Sequence, residues 1–121
     1  MTRPTHPAMT VLRALEDAPA PQPGKPRPAV TRLLQGDGAN LIAFTFTPGQ
    51  SLPDHRSAHP ITVQCLAGSL DFGCNGETVQ MSPGVVLHLP AQLTHRVDCP
   101  EDTEGEAVLL LMMLTGERPS N

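Results

Sequence analysis

The stretch SLDFGCNGETVQMSPGVVLHLPAQLTH, residues 69–95, decides the fold. At its centre Asn75-Gly76 separates two short runs, 69–74 and 78–82, that carry strand-forming residues. A type I′ turn needs positive φ at both central positions, and Asn followed by Gly meets that demand with little strain. The reading is a β-hairpin. Pro83-Gly84 makes a second turn, followed by strand-like runs at 85–89 and 93–99.

Outward from this stretch the pattern repeats. Toward the N-terminus, Pro48-Gly49 closes a run at 39–47, and 60–66 forms another. Toward the C-terminus, the acidic loop PEDTEGE (100–106) precedes a closing strand at 107–115. Strands recurring about every ten residues between Gly/Pro turns indicate an all-β sandwich or barrel. Within that set VLLLMML (108–114) is apolar at successive positions, hence on both faces of a strand. It predicts burial on both sides, inside the sandwich or against a partner, and a homodimer is expected.

The N-terminal part differs. Seven of the 14 prolines fall in the first 28 residues, and APAPQPGKPRP (18–28) reads as an extended connector without ladder hydrogen bonds. Before it, residues 10–17 predict two helical turns, with Thr10 as N-cap and Val11, Leu12 and Leu15 on one face. So short a helix needs something to pack on. The expected organisation is a Pro-rich arm over 1–28 and a β-barrel over 29–118.

Composition removes several functions. Net charge is −4, the only aromatic side chains besides histidine are Phe44, Phe46 and Phe72, and cationic residues are scattered. Single-strand nucleic-acid binders need stacking platforms along a basic groove, so nucleic acid is not an expected partner. No run is long enough to span a bilayer, and no membrane association is expected. Cys65, Cys74 and Cys99 are odd in number and lack CxxC spacing. With no apolar leader at the N-terminus, they predict reduced thiols and a cytoplasmic protein. There is no G-x-S-x-G elbow, P-loop or dinucleotide fingerprint.

Chemistry concentrates instead in PDHRSAHPITVQCLAG (53–68) and in GVVLHLPAQLTH (84–95). The first, extended back to Gly49, resembles the cupin motif G-x5-H-x-H-x3-E-x6-G, with Gly49, His55 and Gly68 in register. The second resembles G-x5-P-x-G-x2-H, with Gly84, Pro90 and His95 in register. The chain thus resembles a small single-domain cupin over about residues 40–115. That implies a double-stranded β-helix, or jelly-roll barrel, with a short N-terminal arm. In the family, two His and the Glu of the first motif join the His of the second on one divalent metal. Here Ser57 stands at the second His position, Ile61 at the Glu position and Gln92 at the motif's last Gly. Only His55 and His95 match, and metal sites as a rule need three protein ligands or more.

Other residues are candidates to fill the gap. His59 lies four residues from His55, about 13 Å along a straight strand at roughly 3.3 Å per residue, so it reaches the same ion only if the chain bends at 56–58. His88 shares a strand face with Val86 and would point into the cavity if that face lines the barrel. Cys65 shares the parity of Ile61 and Val63, the barrel-facing parity in the family register, while Gln64 points the other way. A strand cysteine, like Cys65 or Cys99, is more often a small buried hydrophobe than a ligand. Asp54 and Asp71 are single carboxylates, of the kind that more often serve turns or solvated faces.

Three functions fit these residues. The first is a module binding a small molecule in the barrel, lined by His55, Ile61, Val63, Phe72, His88 and His95, with no metal or a weakly held divalent ion (Zn, Ni, Cu or Fe) on His55, His95 and His59. The second is a metal-dependent enzyme, dioxygenase- or isomerase-like, using His55, His95 and a recruited His59 or His88. The third is a solid-packed barrel with a structural, dimer-forming role. The first ranks highest, because the stretch 53–68 reads as a metal motif that has lost ligands.

Overall fold

The computed structural model describes residues 8–116. Among these residues nine strands follow one short helix: α1 (Ala14–Asp17), β1 (Ala29–Gln35), β2 (Ala39–Phe46), β3 (Ser51–His55), β4 (Ile61–Ala67), β5 (Leu70–Cys74), β6 (Glu77–Met81), β7 (Val86–Leu89), β8 (His95–Asp98) and β9 (Ala107–Leu114). They form two antiparallel sheets, one in the order β1-β2-β9-β4-β7 and one in the order β3-β8-β5-β6. The all-β expectation is met. The hairpin turns at Asn75 (φ 54°) and Gly76 (φ 79°), with Cys74 paired to Glu77 across it.

The core lies between the sheets. Phe46, Ile61, Val63 and Leu109 from the larger sheet meet Leu70, Phe72, Met81 and Val97 from the smaller one. Cys65 belongs to this core, its thiol near the carbonyls of Ala67 and Gly68, so it is a buried hydrophobe on the barrel-facing parity. Cys99 is likewise buried. The motif glycine Gly68, at φ 72°, closes β4 where an added Cβ would lie 2.4 Å from the Glu106 carbonyl oxygen and 2.7 Å from Ala107 Cα. No other residue fits there.

The central place of β9 explains its unbroken apolar run. It is paired on both sides, by β2 and β4, and Ala107, Leu109 and Leu111 are buried in the core. On its other face Val108 is buried beside Thr45, and there the Pro-rich arm supplies cover. Thr45 Oγ1 donates to the Pro19 carbonyl at 2.7 Å. The carbonyls of a Pro-rich segment still need donors although its prolines have no N–H to give, and side chains provide several of them. Gln50, almost wholly buried, donates to the carbonyls of Gln22 (2.9 Å) and Lys25 (3.0 Å). Gln22 in turn donates to those of Arg27 and Pro28.

The N-terminal helix is shorter than expected. Only Ala14–Asp17 is helical, and Thr10 is not its cap. Arg13 holds the N-cap position, and its backbone N–H donates to Asp17 Oδ2 at 3.1 Å. Four residues cannot offset the nucleation cost of a longer helix without burial, and none of the four is buried. Residues 1–7 of the expected arm and 117–118 of the expected barrel lie outside the described residues. Among the described residues no helix is long and apolar enough to cross a membrane.

Candidate functional site

His55 and His95 are register partners on the neighbouring strands β3 and β8, their ring centroids 4.3 Å apart and their planes near perpendicular. They therefore lie side by side in the smaller sheet. A bulge puts them on one face. Leu52 pairs with Val97 and His55 with His95, so three residues of β3 span two of β8. In a regular ladder Leu52 and His55, three residues apart, would point to opposite faces and Asp54 would stand opposite His95; the bulge takes up the odd residue and brings His55 there instead.

The tautomers follow from the hydrogen bonds. His55 Nδ1 lies 2.8 Å from the Pro53 carbonyl and His95 Nδ1 lies 2.9 Å from the Leu93 carbonyl. A carbonyl only accepts, so both Nδ1 atoms carry the proton and each neutral ring keeps its lone pair on Nε2. His95 is 3% exposed and stacks on Phe72, centroids 5.5 Å apart and planes 9° from parallel. Burial pushes the His95 pKa below the ordinary histidine value, the bond to Leu93 opposes this, and the neighbouring His55 adds to the lowering.

The pair borders a cavity of about 390 Å³ between the sheets. Ile42, Phe44, Ile61, Leu111 and Met113 of the larger sheet form an apolar wall, and residues 55–59 with His95 form the rest. The bend that His59 requires is present: Ser57 Oγ accepts the His59 N–H at 3.1 Å. The Ser57 carbonyl accepts the Gln92 N–H at 2.8 Å, which ties this loop to the turn that leads into His95. Ser57 and Ile61, the positions where the resemblance places two ligands, both line the cavity.

Other predicted residues fall elsewhere. Val63 is packed core, and Phe72 serves as the platform under His95. The face shared by Val86 and His88 is the outer one: Leu87 and Leu89 pack against the core, whereas Val86 is 52% exposed. His88 is exposed beside a slot of about 130 Å³ between the sheet edges and bonds Thr62 Oγ1 through Nδ1 at 2.9 Å. The sequence offered no sign of this, because both parities of 85–89 carry apolar residues. Asp54 lies on the far side, 3.9 Å from Arg96 Nη1, beside a larger outer concavity of about 590 Å³ bounded by the hairpin tip.

Residues that the sequence reading passed over complete the site. Ile42, Phe44, Leu111 and Met113 form the cavity wall, and Arg56 stands on its rim. Alternation along 39–47 and 107–115 supplies the wall residues once the strand order is known; nothing local singles out Arg56. Cys74 is the register partner of His95 on the side away from His55. Among the described residues, no three His, Cys, Asp or Glu side chains are placed to hold one metal ion.

Comparison with known proteins agrees with this architecture. Residues 43–113 match a family described as a cupin domain. Quercetin 2,3-dioxygenase from Bacillus subtilis (strain 168) is 33% identical over 61 residues, covering 49% of this chain but 18% of that enzyme. The chain thus spans less than a fifth of that relative's length. A protein with a double-stranded beta-helix domain from Klebsiella pneumoniae superposes with a TM-score of 0.75 at 16% identity, over 90% of this chain and 92% of the other. A conserved protein of unknown function from Streptococcus pyogenes does so with a TM-score of 0.72 at 20% identity, over 97% and 95%. At these identities the two structures speak for the fold alone.

Proposed function

The chain belongs to the cupin domain family, and from that premise we propose that it is a small-molecule-binding cupin whose metal site has been lost or reduced to weak binding. The supporting observation is the cavity itself, about 390 Å³ with an apolar wall of Ile42, Phe44, Ile61, Leu111 and Met113. That volume lies within the range of ligand pockets, roughly 300–1,000 Å³, which combine apolar walls with few polar groups.

The divalent metal that the family implies is a poor fit to these donors. His55 and His95 each offer Nε2, His59 is a third imidazole on the lining, and among the described residues no carboxylate lines the cavity to offset the charge of the ion. Ser57 is a weak ligand and Ile61 is none. An ion on His55 and His95 would keep most of its waters, so Zn²⁺, Ni²⁺ or Cu²⁺, which suit imidazole, should be retained poorly.

The test is elemental analysis of untagged protein after dialysis against a chelator, with native mass spectrometry to detect a co-purified organic ligand. Substoichiometric metal is the expected result. Ser57→His combined with Ile61→Glu should raise metal affinity by more than the roughly 10–100-fold that one outer-shell partner contributes. Stoichiometric metal surviving the chelator in the parent protein would reverse the ranking. The favoured reading would then be a metal-dependent enzyme, dioxygenase- or isomerase-like, using His55, His95 and a recruited His59, since His88 faces outward.

A further inference from the structure

The cavity is chemically two-sided. Its wall from the larger sheet is apolar throughout, whereas its polar side chains come from the single segment 55–59 and from His95. Among the described residues that line the cavity, Arg56 is the one side chain with a formal charge, and none is Asp or Glu. The chain as a whole carries −4, so the cavity reverses the sign of the molecule around it. The nearest acid in sequence, Asp54, is on the other side near Arg96, which also makes a two-pronged contact with Asp98 at 2.8 and 2.9 Å. Among the described residues Arg56 has no hydrogen bond or ion pair.

Resting on the small-molecule reading above, we propose that the ligand is a monocarboxylic acid with an apolar body, its carboxylate held by Arg56 at the rim and its body against Ile42, Phe44, Leu111 and Met113. A guanidinium presents paired donors that match a carboxylate, and an unpaired one beside a cavity favours an anion through electrostatic complementarity. The apolar wall argues against sugars and sugar phosphates, whose hydroxyls would lose water there without gaining partners. One guanidinium argues against a dianion. His55 and His95 have already committed their Nδ1–H groups to backbone carbonyls, so the carboxylate belongs at the unpaired Arg56 guanidinium.

The experiment is calorimetric titration of the full chain with octanoate and with octan-1-ol, a probe of the same chain length without the charge. Octanoate is expected to bind about 10-fold or more tightly than octanol, the gain a charge-assisted hydrogen bond confers. Arg56→Gln should bring octanoate to the level of octanol and leave octanol unchanged. Arg56 is exposed, so the variant should fold, and its melting curve checks this. Octanol binding as tightly as octanoate would overturn the carboxylate assignment while the apolar-cavity reading stands. Undiminished octanoate binding by Arg56→Gln would do the same. Failure of both probes to bind would overturn both readings together.

Discussion

At the scale of single residues, His95 carries the sharpest physical constraint. Its Nδ1–H is committed to the Leu93 carbonyl, one ring face rests on Phe72, and its edge neighbour is His55. Protonation would put a charge into this buried place, and its folded pKa is accordingly lowered, by burial first. In the unfolded chain the same group titrates near its usual value of about 6.5. As pH falls below that, the unfolded state takes up the proton before the folded state does, and linkage then favours unfolding. His95 thus contributes stability that is present above about pH 6.5 and lost as pH falls toward its folded value. Urea midpoints recorded from pH 7.5 to 5 should decline for the parent protein and decline less steeply for His95→Gln. Parallel slopes for the two proteins would show that His95 is not the group responsible. Burial likewise raises the pKa of Cys65 and of Cys99, which keeps both thiols protonated and inert.

At the scale of elements, the site depends on two local irregularities, the bulge in β3 and the turn between β7 and β8. In that turn Gln92 adopts φ 70°, the left-handed conformation, at the position where the second motif has glycine. A residue with a Cβ is strained there by roughly 1–2 kcal/mol. Gln92→Gly removes this strain but adds to the entropy of the unfolded chain, so the expected net effect is a gain of about 0.5–1 kcal/mol in chemical denaturation. An unchanged or lower midpoint would mean that the Gln92 side chain offsets its own strain. The hairpin and the closing strand were legible in the sequence because their signals are local: Asn75-Gly76 for the turn, unbroken apolar residues for β9. The side-by-side His pair was legible only as a motif register. What aligns the two rings is the extra residue between Leu52 and His55, and a bulge has no compositional mark in Pro53-Asp54. The outward face of His88 was hidden for a similar reason, since Val86 and Leu87 are equally apolar and only pairing with β4 decides between them.

At the scale of the whole molecule, the open question is how the outer face of the larger sheet is covered. The Pro-rich arm closes it near Thr45 and Val108, held by the side chains of Gln22, Thr45 and Gln50. Further along, Leu110 and Met112 remain only half-buried, Leu15 of the short helix near β4 is exposed (54%), and so is Met9 (65%) in the segment before that helix. A second copy of the chain, applied to this side, would bury Met9, Leu15 and Val86 together with the half-buried row of β9. Stable pairs of this kind typically bury about 800 Å² per partner. We therefore expect a homodimer, sedimenting at twice the 12.9 kDa chain mass at micromolar concentration. Met9→Asp with Leu15→Asp places two carboxylates on that surface and should weaken association by roughly 30-fold or more, as loss of a single hot spot of about 2 kcal/mol does. The same variant leaves the cavity residues untouched, so its ligand binding should match that of the parent. A parent protein that sediments as a monomer at micromolar concentration would mean that the arm alone suffices to cover the sheet, and that the two-sided apolar character of β9 is satisfied within one chain.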